Sequence, residues 1–470
     1  MDNPVRTDKE DAFALKEKAN TGRNSPVTGR TTRRRYPCRC AESTVNDFAL
    51  SVNCQGLPQM FGANSGIVRR VVWFILISGG LALAIFQIVD RIEFFLSKPV
   101  AIQSDVVCPT SALFPTVTIC NFNAIRLSRA ESLHVKGLVE DVYPLSRTIS
   151  PNFTGYSFAR YDWKSFFESV AHEASAIKVC IWQGTKCTEQ NFTTTFTDMG
   201  VCYSFNTGDG AALLRSDSSG SQYGLSLTMD AMQHEYFRGF AGIGAGYKVM
   251  VHDPREPPLM ANLGFSVGVG MHTLAALKMY NISNLDTENW GKCRRNMTLK
   301  YYDYYSHSAC RLECLTDFII NKCKCQFINM RAPNVPICDP KQIFDCYEPN
   351  RNVFIKEKGQ CQQECPIPCD SITYDVSLSQ APLSDYHTGT FTVNNVKPDY
   401  IKNNFVQLDI FFQGISYERL EQYPAYNPFA LGCDVGGAMG LVLGASALTL
   451  CEIMDFVIVW ALRGKGKRLC

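Results

Sequence analysis

Three carboxylates sit where an apolar chain should hold none: Asp434, Glu452 and Asp455 lie within a hydrophobic run from about Phe429 to Leu462. A carboxylate at membrane depth is costly unless it faces protein or water, so such residues mark paths for ions or protons. On an ideal helix, at about 100° per residue, Asp434 and Glu452 come back into line after about five turns and Asp455 falls about 60° away, which makes one face acidic. Gly436, Gly440 and Gly444 recur every four residues on a different face, where small side chains allow close helix contact. An acidic face and a small-residue face together suit several copies of the helix around a wet, cation-attracting path. The plainer alternative is an anchor whose Glu452 and Asp455 lie near the cytosolic end and reach toward Arg463. Spacing leaves both open.

The second chemistry-bearing set is the cysteines. Of 21 in the chain, fifteen lie between Cys108 and Cys369. All four N-x-S/T sequons, at Asn152, Asn191, Asn281 and Asn296, fall in the same long stretch, which places it in oxidising, glycosylated space outside the cell. Cys323-x-Cys325 and Cys361-x3-Cys365-x3-Cys369 also have spacings that would hold zinc, but that location favours disulfides, and no metal is expected. Spacing alone does not choose a connectivity.

The elements that must position these residues follow from hydropathy and flanking charge. A first apolar stretch opens at Gly66, Ile67 and Val68 and runs through Val71–Val89, interrupted by Arg69 and Arg70; the second is Phe429 to Leu462. Each approaches or exceeds the roughly 20 residues a helix needs to cross a bilayer. Arg30, Arg33, Arg34, Arg35 and Arg39 precede the first, and Arg463, Lys465, Lys467 and Arg468 follow the second, so both termini are expected in the cytosol. The first stretch lies too deep in the chain, and is too long, for a cleaved signal peptide, and reads as a signal anchor.

The expected division is a disordered cytosolic tail (1–40), a pre-membrane segment (41–66), transmembrane helix 1 (67–90), an extracellular domain (91–428), transmembrane helix 2 with the pore (429–462) and a basic cytosolic tail (463–470). The short stretch after Leu462 is either natural or a truncation. Strand-like runs occur at Phe114–Cys120, Val201–Phe205, Gly224–Met229, Tyr247–His252, Ile372–Leu378 and Asn404–Phe412, with helical stretches near Trp163–His172, Ser306–Asn321 and Lys341–Asp345. The fold class is therefore an α+β membrane protein: two transmembrane helices flanking a large β-rich, disulfide-stapled extracellular domain with peripheral helices. A net charge of +2 gives no reason to expect a nucleic-acid partner.

The residues carry a family resemblance. From Leu431 through Cys433, Asp434, Gly440 and Gly444-Ala445-Ser446 to Glu452 and Asp455, the second stretch resembles the pore helix of the degenerin/epithelial sodium channel superfamily, and Gly444-Ala445-Ser446 is similar to that family's Gly-x-Ser selectivity segment. Phe114-Pro-x-Val-Thr-Ile-Cys120-Asn121, Gly200-Val-Cys202-Tyr-Ser-Phe205-Asn206, Gly246 to Pro254 and Trp290-Gly-x-Cys293 resemble further family signatures, in order, over about Phe48 to Leu462.

The resemblance implies a trimeric, sodium-selective, amiloride-sensitive channel in the plasma membrane, a homotrimer or a heterotrimer with related subunits, with no cofactor beyond the permeating Na+ and no enzymatic activity. Asp434, Gly444, Ala445, Ser446, Glu452 and Asp455 would face the pore. The Gly-x-Ser segment would be extended, which makes the unbroken wheel approximate there. Cys433 would occupy the degenerin position, where bulky substitutions hold the channel open. Fourteen cysteines would form seven pairs: Cys120–Cys202, Cys180–Cys187, Cys293–Cys369, Cys310–Cys365, Cys314–Cys361, Cys323–Cys346 and Cys325–Cys338. Cys108 would be left over, free or paired with Cys433.

Gating positions implied by the same resemblance are Trp290, packed on Phe94 or Phe95, and the Ile415-Ser416 linker; an ordinary packed tryptophan and an ordinary turn are the competing readings. Glu235 would face Glu348, a carboxylate pair that shares a proton through mutual repulsion, while His234 faces Asn352. Gln55-Gly56 stands where relatives carry His-Gly, and Lys98-Pro99 near where acid-sensing members carry a His pair. The stimulus is left open: an extracellular peptide, protons, mechanical load, another ligand, or constitutive activity. A scavenger-type receptor would place its first span nearer the N-terminus, and an ATP-gated channel would show exterior basic clusters. An enzyme would show a P-loop, a zinc-protease helix or a Gly-x-Ser-x-Gly elbow, none of which is found.

Overall fold

The computed structural model describes residues 66–142, 151–158, 161–237, 244–288, 290–356, 361, 364–384, 397–444 and 446–466. The described residues fall into two compact units, one within Ala84–Ala438 and the other joining those up to Leu83 with those from Met439.

In the Ala84–Ala438 unit the strands are β1 (Val100–Val107), β2 (Ala112–Leu113), β3 (Thr116–Asn121), β4 (Ile177–Trp182) and β5 (Thr185–Cys187). Next come β6 (Phe192–Thr197), β7 (Gly200–Phe205), β8 (Arg215–Ser216), β9 (Leu225–Asp230) and β10 (Gly246–His252). The last are β11 (Phe265–Gly268), β12 (Met271–Ser283), β13 (Asp370–Pro382), β14 (Phe405–Phe412) and β15 (Tyr417–Pro424). An eight-stranded sheet has the order β1-β15-β12-β14-β9-β4-β5, with β13 along the other side of β12, and a five-stranded sheet has the order β11-β10-β3-β7-β6. Between them Phe114, Val117, Phe205, Leu225, Leu227, Met229, Leu408 and Ile410 form the main core, each 2% exposed or less.

β12 is the axis of the larger sheet. It pairs antiparallel with β13 from Met271 to Ser283 and, on its other side, parallel with β14 and then β15. Thr273, Ala275, Leu277 and Met279 alternate inward along it, the period-2 pattern of a strand. Its Ala, Leu, Met and Lys residues favour helix in isolation, and hydrogen bonding on both sides overrides that preference.

The helix His307–Cys323 starts at Ser306, whose hydroxyl accepts from Ala309 N at 3.1 Å, and stops at Lys324 in the left-handed conformation. The expected short helix at Lys341–Asp345 is part of a longer one. Asp339 and Gln342 form a capping box, a turn of π-helix covers Ile343–Tyr347, and the α-helix resumes over Glu348–Lys356.

Ile67–Leu96 is one helix with a single buried side chain, Ala84. It ends where Lys98 turns to φ 52° before Pro99, a residue with no N–H to continue the ladder. Among the described residues it is the one helix long and apolar enough to cross a membrane. The second apolar stretch forms two helices, Pro428–Leu443 and Ala447–Gly466, parted at the segment that the resemblance implies is not helical.

Candidate functional site

The break in the second stretch has a local cause. Gly444 adopts φ 62°, a left-handed conformation that costs L-residues about 1–2 kcal/mol and glycine little. Its N–H still donates to Gly440 O at 3.1 Å, closing the first helix. Ser446 then opens the second: its N–H donates to Thr449 Oγ1 at 3.1 Å, and Thr449 N–H donates to Ser446 Oγ at 3.4 Å. Ala445 lies outside the described residues. The wheel that aligned Asp434 with Glu452 therefore fails, because no continuous helix joins them.

Asp434 accepts from the hydroxyl of Tyr426 at 2.5 Å. Glu452 is half-buried and Asp455 exposed. A Cβ on Gly436 would meet no atom within 4 Å, whereas one on Gly80 would lie 3.0 Å from Val442 Cγ1. Cys433, Cys108 and Cys451 are free and exposed, so Cys108 is not bonded to Cys433.

The structure brings together the same seven cysteine pairs that the resemblance implies. Cys310–Cys365, Cys314–Cys361 and Cys323–Cys346 tie the His307–Cys323 helix to the chain that follows it. Cys325–Cys338 closes the loop between, and Cys293–Cys369 locks its base.

Trp290 packs edge-on against Phe95, ring centroids 5.0 Å apart, while Phe94 takes Tyr426 at 5.4 Å. Trp290 has φ 72°. The turn that presents it is fixed by Gly291, whose N–H donates to Asp286 O at 2.7 Å and where a Cβ would collide with Leu285 O. Ile415 and Ser416 lie between β14 and β15, with Ile415 packed on the main core.

Glu235 and Glu348 have separate partners. Burial works against the Glu235 charge, but Ser128 N–H and hydroxyl, each at 2.9 Å, and Arg126 Nη2 at 3.2 Å outweigh it and hold the carboxyl below its ordinary range. Glu348 meets Arg351 at 3.4 Å, and among the described residues no hydrogen bond or ion pair joins the two carboxyls. Each carboxyl thus has a basic partner of its own. His234 approaches Tyr400, its Nδ1 3.5 Å from the hydroxyl, rather than Asn352. Asn152, Asn191 and Asn296 are exposed and Asn281 is half-buried in β12. Gln55 and Gly56 lie outside the described residues.

Sequence reasoning missed His172. It is 6% exposed, and neither ring nitrogen has a partner among the described residues. Burial, then the neighbouring Arg126 charge, pushes its pKa down to about 4. It borders a cavity of about 20 Å³ with Asn121, Asn123, Glu173 and Tyr203, room for about one water. No motif surrounds it, so only the fold could reveal it.

A long apolar helix, a second apolar stretch broken by a glycine, and a disulfide-stapled β-rich body describe a membrane protein that carries most of its mass outside the bilayer. The model of a family described as amiloride-sensitive sodium channel matches residues 48–456. The chain is 32% identical over 444 residues to acid-sensing ion channel 2 of Rattus norvegicus, covering 88% of this chain and 86% of that protein. It is 31% identical over 455 residues to acid-sensing ion channel 1 of Gallus gallus (90% and 86%), and 30% over 443 residues to acid-sensing ion channel 1C of Danio rerio (88% and 83%). The chain belongs to the amiloride-sensitive sodium channel family. It is a cation-channel subunit of the degenerin/epithelial sodium channel type.

Proposed function

We propose that three copies of the chain, or this chain with related subunits, surround a sodium-preferring pore lined by the second apolar stretch. The observation that carries this reading is the interruption at Gly444–Ser446 between two apolar helices. Backbone freed from helical bonding at membrane depth is tolerated where it lines water or is buried in protein, and three such segments would form a ring of carbonyl dipoles for a partly dehydrated cation. Glu452 and Asp455 add negative potential on the cytosolic side, and Asp434 on the outer side. In this arrangement 67–90 and 429–462 cross the plasma membrane, 91–428 is outside with glycans on its sequon asparagines, and 1–66 and 463–470 are cytosolic.

Gating runs from the body to the pore. The Trp290–Phe95 contact supports a joint between the base of the disulfide column and the first helix, and Ile415-Ser416 serves as a hinge. Cys433 is the small residue that lets the pore close, so a thiol reagent that labels it raises resting current. The stimulus acts on the extracellular body as a peptide, protons or another ligand, or the channel is constitutive.

The deciding experiment is whole-cell recording with sodium replacement on the wild type and on G444A and S446A. Amiloride-sensitive sodium current in the wild type, with selectivity over potassium reduced by about tenfold or more in the variants, is expected. Variants that conduct with unchanged selectivity would remove the pore assignment. A surface-labelled chain silent under acid, peptide and resting conditions would rule out the homomeric form.

A further inference from the structure

At the end of β10 the chain turns through Asp253, Pro254 and Arg255. Asp253 is 3% exposed, an expensive place for a carboxylate without a partner. Arg255 supplies the partner twice over: Nε donates to Oδ1 at 2.9 Å and Nη2 to Oδ2 at 2.7 Å, with the Arg255 backbone N–H also on Oδ1 at 2.9 Å. The side-chain fork is one only a guanidinium offers. The same guanidinium lies over Tyr304, its Cζ 3.9 Å from the ring centroid, well within cation–π range. Ser306, the residue that caps the His307–Cys323 helix, bears on the neighbouring Glu256 carboxyl. Tyr304 donates its hydroxyl to the carbonyl of Asp370 at 3.2 Å, at the first residue of β13 and next to Cys369. One cluster therefore touches the end of β10, the approach to the disulfide-bearing helix and the start of β13.

An exposed ion pair would carry little. Here one partner is buried, and the other makes its second contact in a separate element. From Asp370 the ladder continues to Ser283 of β12 and on to Glu421 of β15, where Gln422 Oε1 accepts from Leu285 N at 3.2 Å. β15 in turn pairs with β1 along its length.

We propose that Arg255 is a positioning residue of gating: it clamps the disulfide-bonded helical column to β10 and β13, so that the column and the sheet move as one body. The proposal rests on the reading of the second apolar stretch as the pore.

The test uses the full chain in lipid nanodiscs. R255Q is expected to raise amide exchange about tenfold in 301–306 and 370–374 while leaving 225–230 unchanged, with R255K between it and the wild type. The second readout is the rate at which a thiol reagent labels Cys433, in a background where Cys38, Cys40, Cys54, Cys108, Cys451 and Cys470 are replaced by Ser. That rate is expected to shift about threefold in R255Q, with R255K again between. If R255Q does not reach the folded state, D253N/R255Q removes both charges and is read in its place. Unchanged exchange overturns the clamp, and so does a rise spread evenly over the body. Raised local exchange with Cys433 labelling at the wild-type rate, zero included, confines Arg255 to local structure and overturns the gating role. Failure of the pore reading is separate: it would show as unaltered selectivity in G444A, whatever the exchange result.

Discussion

The sheet around Leu227 and the apolar stretch from Pro428 are built from similar residues, yet only the first encloses its own side chains. Leu225, Leu227, Leu408 and Ile410 are 0% exposed, whereas Leu441, Leu448 and Phe429 are 87%, 73% and 80% exposed. In water such exposure would forfeit roughly 1.5–3 kcal/mol per side chain. In hydrocarbon it forfeits nothing, and the first demand is that every backbone group find a partner. The body is thus held by burial and cross-links. The apolar stretch is shaped by backbone choices, a left-handed Gly444 and the Ser446–Thr449 cap. A methyl group removed from one region and from the other should have very different consequences.

The sharpest contrast is Leu227→Ala, which should cost about 2–5 kcal/mol and lower both the denaturation midpoint and surface expression. A smaller loss in purified protein would mean that the core can collapse around the gap. Replacing Cys323 and Cys346 together by Ala, opening a link across 23 residues, should cost about 3 kcal/mol in denaturant unfolding of the body. Gly444→Ala should leave that unfolding unchanged.

His172 sharpens the comparison through pH. Its folded pKa near 4 lies below its ordinary 6.5. The folded body therefore favours the neutral ring; that contribution is complete above about pH 6.5 and is lost as pH falls toward 4, by up to about 3 kcal/mol. Stability measured from pH 7 to 4 should fall less steeply in His172→Leu, and equal slopes would discard this account. Leu441→Ala should change the unfolding free energy by less than about 0.5 kcal/mol, because its side chain is 87% exposed.

Much of the body was legible because its strands alternate or run apolar between turns: the runs at Gly224–Met229, Tyr247–His252 and Asn404–Phe412 lie within a residue or so of β9, β10 and β14. β12 was missed for the opposite reason, since Leu274, Ala275, Ala276, Leu277 and Lys278 carry helix-forming character and only their neighbours make a strand. β1 is largely exposed and neither it nor β15 alternates apolar with polar residues, so both show pattern only when paired. In the second apolar stretch hydropathy sees a continuous run and is blind to a glycine that changes hand; only the resemblance to a Gly-x-Ser segment implied the break. The Arg255 cluster was invisible because Tyr304 and Asp370 are distant in sequence.

The junction of β14 and β15 has one more consequence. Both strands run parallel to β12, one after the other, with Phe412 opposite Leu277 and Glu418 opposite Tyr280. Three steps along β12 thus face six along the other chain, and the surplus is looped out at Gln413–Ser416. That loop is held at two points: Gln413 N–H donates to Leu277 O at 3.0 Å, and Ile415 packs on the main core. β14 and β15 thus share one edge of β12 in registers that differ by three residues, and Gln413–Ser416 is where that difference is taken up.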